Sequence, residues 1–180
     1  AECGLRLVIS AVESVDDTVL GLLAKGHTRA DFASVVPLMR EHNIAFAPTF
    51  LAFTPWITLE GYLDLLSVVV ELDLIDNVPA IQLAIRLLVP AGSALMDLPE
   101  FVDMVLPFDE NALGYPWVHV DPRVDALQQK VQQAAERADT LGESRRTAFE
   151  AIWRLTHEAL GLEPSDLGST TGKSLPHHTE

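Results

Sequence analysis

Apolar residues recur along this chain in alternating rhythms. Residues 5–12 form a near-continuous apolar run rich in Val and Ile, which predicts a strand buried on both faces. Residues 16–25 change to helical spacing, with Val19, Leu20, Leu22 and Leu23 on one face. Asp16 and Asp17 suit the positive end of that helix, Lys25 suits the negative end, and Gly26 is placed as its C′ residue. Thr28 followed by Asp31 resembles a capping box, so a second helix is expected over 29–42, kinked or delayed by Pro37.

The alternation then repeats. A strand is expected over 45–53, a loop through Pro55 and Trp56, an N-cap at Thr58 and a helix over 59–72. A turn at 76–79 leads to a third strand over 80–88. Three strand–helix repeats imply a parallel sheet with right-handed crossovers, an α/β fold. From 98 to 122 the rhythm breaks into an irregular covering segment, in which Phe101, Phe108, Tyr115 and Trp117 are interspersed with Pro and Gly. Two amphipathic helices follow, at 122–139 and from the Ser144 cap to Leu160, where Gly161 ends the second helix. The expected division is a barrel-like part over 1–97, a covering segment with two helices over 98–162, and a Ser/Thr/Gly/Pro-rich tail over 163–180 that should be mobile.

Three parallel strands would leave two edges and much apolar surface unpaired. The first strand also begins a few residues from Ala1, with no helix ahead of it to cover one sheet face. The expectation is therefore that the sequence is a piece of a larger sheet.

Composition narrows the partners. The formal charge of −14 repels phosphate backbones and anionic lipid, so neither nucleic acid nor membrane is expected as a partner. The longest uncharged run, 44–59, is too short to span a bilayer and carries Pro48 and Pro55. No basic, apolar leader opens the sequence, and the single cysteine, Cys3, excludes an internal disulfide. These features fit a cytoplasmic protein.

Candidate chemistry follows from strand alternation. In the first strand Leu7, Ile9, Ala11 and Glu13 share a face, which places Glu13 at the strand end, where α/β proteins bind ligands. In the third, Gln82 and Arg86 share a face with Ala84, while Ile81, Leu83 and Ile85 should meet helices. Glu13, Gln82 and Arg86 on neighbouring inner faces would make a polar pocket, which Thr49 could join. A structural Glu13–Arg86 ion pair fits the same spacing. The six histidines show no metal-ligand spacing. His27 reads as a turn residue, His42 as a helix cap and His177–His178 as a solvated pair. Trp56, Trp117 and Trp153 read as packing residues, and neither a glycine-rich phosphate loop nor a nucleophile elbow is present.

Three segments in order resemble a known family. The strand end Val8-Ile-Ser-Ala-Val-Glu-Ser14 with Leu23-Ala-Lys-Gly-His-Thr28, the stretch Phe50-Leu-Ala-Phe-Thr-Pro-Trp-Ile-Thr58, and Leu88-Val-Pro-Ala-Gly-Ser-Ala-Leu95 are similar to radical S-adenosylmethionine proteins. The nearest subgroup is the CUAEP/CCAEP-tail radical SAM (seleno)proteins, matched over roughly residues 4–100. The resemblance implies the C-terminal part of a partial (β/α) TIM-like barrel. It implies a parent enzyme that uses a [4Fe–4S] cluster and S-adenosylmethionine for radical chemistry on an unknown substrate. It also implies cofactor contacts from Glu13 to the ribose hydroxyls, with Ser14 beside it, and from Leu51 or Phe53 to adenine. Thr49, Gln82 and Arg86 would face substrate or the methionine carboxylate. The family's Cys-x3-Cys-x2-Cys motif and its terminal cysteine or selenocysteine motif are not in the sequence, so this chain by itself would hold no cluster and would be inactive. Two other readings remain open: a (β/α) barrel lyase or aldolase using Glu13 and Arg86 on a small carboxylate, and a non-catalytic α/β binding module.

Overall fold

The computed structural model describes residues 4–164 and 167. The first strand, β1 (Leu7–Glu13), pairs in parallel with β2 (Ala45–Phe50), with Leu7 opposite Ala45 and Ala11 opposite Thr49. Between them run α1 (Asp17–Leu22) and α2 (Arg29–Glu41). Both are capped from their own sequence. The Asp16 side chain accepts from the Thr18 and Val19 amides, and Thr28 with Asp31 closes the expected capping box. Pro37 lies inside α2, and the helix nevertheless starts at Arg29. Thr58 caps α3 (Leu59–Glu71), as expected, by accepting from the Gly61 amide.

The third strand is a correction. Ala80–Leu83 winds into a 310 turn, and the extended part is reduced to a parallel bridge between Phe53 and Arg86. There Phe53 N–H donates to Ile85 and Leu87 N–H donates to Phe53. Two long-range bonds hold the turn. The buried Tyr62 hydroxyl donates to the Leu83 carbonyl at 2.8 Å, and Gln128 Nε2 donates to the Ala84 carbonyl at 3.1 Å. With the backbone wound, alternation fails: Leu83 and Ala84 are buried neighbours, while Ile81 is exposed.

Residues 88–120 form the irregular cover, with one short helix, α4 (Pro99–Val102), and antiparallel bridges such as Val105 to Trp117. Then come α5 (Pro122–Leu141), capped by Asp121, and α6 (Arg145–Leu160), capped by Ser144. Gly142 and Gly161 end them in the left-handed conformation. The end of α1 departs from expectation, because Ala24, not Gly26, takes the positive φ, of 52°.

The main core lies on one face of the sheet. Val12, Phe46 and Phe50 meet Phe32 and Val36 of α2, and the same core runs on to Tyr62 and Leu66 of α3 and to Phe149 and Ile152 of α6. A second cluster forms where the cover lies on the strand ends, joining Leu23, Leu51 and Trp56 to Phe101, Met104 and Trp117. The opposite face of the sheet is open, and Ile9 is 68% exposed there. Among the described residues β1 pairs with β2 alone. The result is a mixed α/β fold with a two-stranded parallel sheet. No described helix is long and apolar enough to cross a membrane. His177, His178, Cys3 and nearly all of the 163–180 tail lie outside the described residues.

Candidate functional site

The C-terminal end of β1 carries the first candidate group. A register shift between Ala11 and Glu13 breaks strand alternation, and Glu13 takes a left-handed φ of 66°. A non-glycine residue held there stores about 1–2 kcal/mol of backbone strain, a cost that clusters at functional sites. The Glu13 carboxylate turns to Lys25, whose Nζ donates to Oε1 at 2.9 Å, with the glutamate side chain 15% exposed. His27 Nε2 lies 3.0 Å from the Val12 carbonyl, so the turn after α1 folds back over the strand end. Ser14 is buried there, and its Oγ accepts from the Asp16 amide at 3.1 Å, which shapes the turn into α1.

The proposed polar pocket of Glu13, Gln82 and Arg86 does not assemble, and neither does a Glu13–Arg86 ion pair. Arg86 turns the other way, with Nη1 donating to Asp125 at 2.6 Å and Nη2 to the Trp117 carbonyl at 2.7 Å. The reason is that Arg86 lies past the 310 turn, beside α5 and the cover. The two cofactor-facing candidates on β2's exit also part. Phe53 is fully buried and stacked on Tyr62 with ring centroids 4.6 Å apart, whereas Leu51 is half-buried against the second cluster.

Thr49 and Gln82 do come together. Both line a cleft of about 220 Å3 on the open face of the sheet, with Leu7, Ile9, Asn77 and Arg145. The cleft is small-walled because Ala45 and Ala47 present only methyl groups to it. Thr49 Oγ1 lies 3.4 Å from the Ser10 carbonyl, a long bond that leaves the hydroxyl close to the cleft. Gln82 Oε1 is buried without a hydrogen-bond partner among the described residues, an acceptor that a ligand N–H or O–H could satisfy. At the rim Arg145 Nη1 donates to the Asp76 carbonyl at 2.7 Å.

Sequence reasoning missed Lys25, Arg145 and Asp125 as partners. Lys25 had a usable signal, since the turn after α1 returns the chain to the end of β1. Arg145 and Asp125 come from helices far along the chain and had none.

The single cysteine, Cys3, lies outside the described residues, and no group of three His, Cys, Asp or Glu side chains among the described residues is placed to hold a metal ion. The described residues do not fit the cluster. For the nucleoside part, a strand-end carboxylate such as Glu13 has the chemistry to accept from two ribose hydroxyls. No protein-family model, no characterised protein and no solved structure matches this chain.

Proposed function

We propose that this chain is the C-terminal part of a radical S-adenosylmethionine enzyme, with the [4Fe–4S] ligands supplied by a cysteine motif elsewhere in the parent protein. The observation that carries the reading is the half-built sheet. The order β1, β2, Arg86 bridge is parallel throughout, its inner face is uncovered at Ile9, and β1 pairs on one side among the described residues. Successive units of a (β/α) barrel would give such an arrangement, with β1 free to pair with a further strand in this reading. The three sequence segments similar to the radical SAM group fall on β1 and its turn, the β2 exit loop and the stretch after the Arg86 bridge.

In this reading Glu13 accepts from the ribose hydroxyls at the strand end, Ser14 shapes the turn beside it, and Leu51 offers the apolar surface for adenine. Phe53 supports that surface from the core. Thr49 and Gln82 bind substrate through the cleft on the inner face. Arg86 is better suited to anchoring the cover than to substrate. No chemical step is assigned to the described residues, because they do not hold the cluster.

The lyase or aldolase reading needed Glu13 and Arg86 on one ligand, and their separate partners remove its support. The radical SAM reading is tested by the coding sequence upstream of Ala1. A Cys-x3-Cys-x2-Cys motif there, and a cluster absorbance after reconstitution of the whole protein with iron and sulfide, is the expected result. An upstream sequence without such a motif overturns it.

A further inference from the structure

The α5–α6 hairpin carries a groove between its two helices. Its floor is Ala134, Ala151 and Leu155, and its volume is about 470 Å3. Lys130 and Arg137 stand on one wall and Arg154 on the other, with Glu158 as the groove's own carboxylate. All three cations are exposed. Among the described residues Lys25, Arg29, Arg40, Arg86 and Arg123 each lie within 4.0 Å of a carboxylate, whereas six other cations, Arg6, Arg145 and Arg146 among them, do not. Lys130, Arg137 and Arg154 have no ion-pair partner among the described residues, yet they gather on one groove.

Lys130 and Arg137 are two helical turns apart, about 10 Å along α5, with the apolar floor between the walls. A free phosphate would use the charge but not the floor. A nucleic acid would bring phosphates to the walls but no aliphatic side chains to the floor. A peptide segment that alternates acidic and aliphatic side chains uses both, with carboxylates toward the walls and methyl groups on Ala134, Ala151 and Leu155.

We propose that this groove docks an acidic, apolar-faced peptide segment of a partner protein. Ala134 and Leu155 also pack against the main core from the floor, and the groove shares no lining residue with the cleft. The test uses a fluorescently labelled peptide of about four helical turns, with glutamate and leucine at helical spacing. Its anisotropy is followed against the whole protein at low and high salt. Saturable binding that weakens with salt, and weakens about tenfold or more in K130E/R137E/R154E, is the expected result. A neutral set, K130Q/R137Q/R154Q, should fall between the two, and unchanged circular dichroism and thermal melting show that both sets fold. Failure to bind at low salt overturns the proposal, as does equal binding by the charge-reversed protein. Displacement by inorganic phosphate or an oligonucleotide at the peptide's own concentration also overturns it. So does a dimer that dissociates in the charge-reversed protein, which would make the occupant a second copy of this chain.

Discussion

Arg86 and Asp125, 39 residues apart, meet at 2.6 Å, and the Arg86 guanidinium carbon stands 3.5 Å from the centre of the Trp117 ring. The same Asp125 accepts from the His119 amide at 3.0 Å, and the Trp117 indole donates to the Leu87 carbonyl at 2.8 Å. One cation therefore ties the third parallel segment, the cover and α5 together. Arg86→Met removes a charge-assisted bond and a ring contact and leaves Asp125 half-buried without its partner. The expected loss is about 2 kcal/mol in urea unfolding, with a shift in Trp117 emission. An Arg86 that served a ligand alone would leave unfolding unchanged.

The Tyr62 hydroxyl is fully buried, and burial pushes its ionisation well above the usual phenol range. It donates to the Leu83 carbonyl and so helps keep the 310 turn wound. Tyr62→Phe leaves that carbonyl unsatisfied, and equilibrium unfolding should record a loss of about 1–2 kcal/mol.

Much of the fold was legible because its signals are local. Thr28 and Asp31, Thr58, Ser144, Gly142 and Gly161 lie within a turn of the helix ends they set, so the helix boundaries followed from the sequence. Strand β1 followed from its apolar run. The third strand failed because alternation over so short a run does not distinguish a strand from a 310 turn held by Tyr62 and Gln128, residues far away in the chain. The candidate site was half legible for the same reason. Thr49 and Gln82 line one cleft although Gln82 sits on a 310 turn and not on a strand, whereas the partners of Glu13 and Arg86 depend on how α1, α5 and the cover return to the sheet.

Ala24 holds φ of 52° at an exposed position after α1. Glycine adopts that conformation without strain. Ala24→Gly should raise stability by about 0.5–1 kcal/mol, read from denaturant midpoints.

Acid should loosen the start of α5. Hydrogen bonds from the Arg123 side chain and backbone hold the Asp121 carboxyl down at about 2, below its ordinary 3.8. A lowered folded value means that the contribution is complete above the unfolded value and is lost as pH falls through the folded one. The loss should run from about pH 4 to about pH 2. Protection of the Val124 amide, relative to its intrinsic exchange rate at each pH, should fall over that window, and Asp121→Asn should flatten the dependence.

The central claim is most directly tested by 5′-deoxyadenosine release. The whole parent protein, reconstituted with iron and sulfide under reducing, anaerobic conditions, should cleave S-adenosylmethionine. Glu13→Ala should bind it about tenfold or more weakly with the fold unchanged, since a charge-assisted bidentate contact is lost. No deoxyadenosine from a protein that carries its cluster, or an unchanged affinity in Glu13→Ala, would contradict the account.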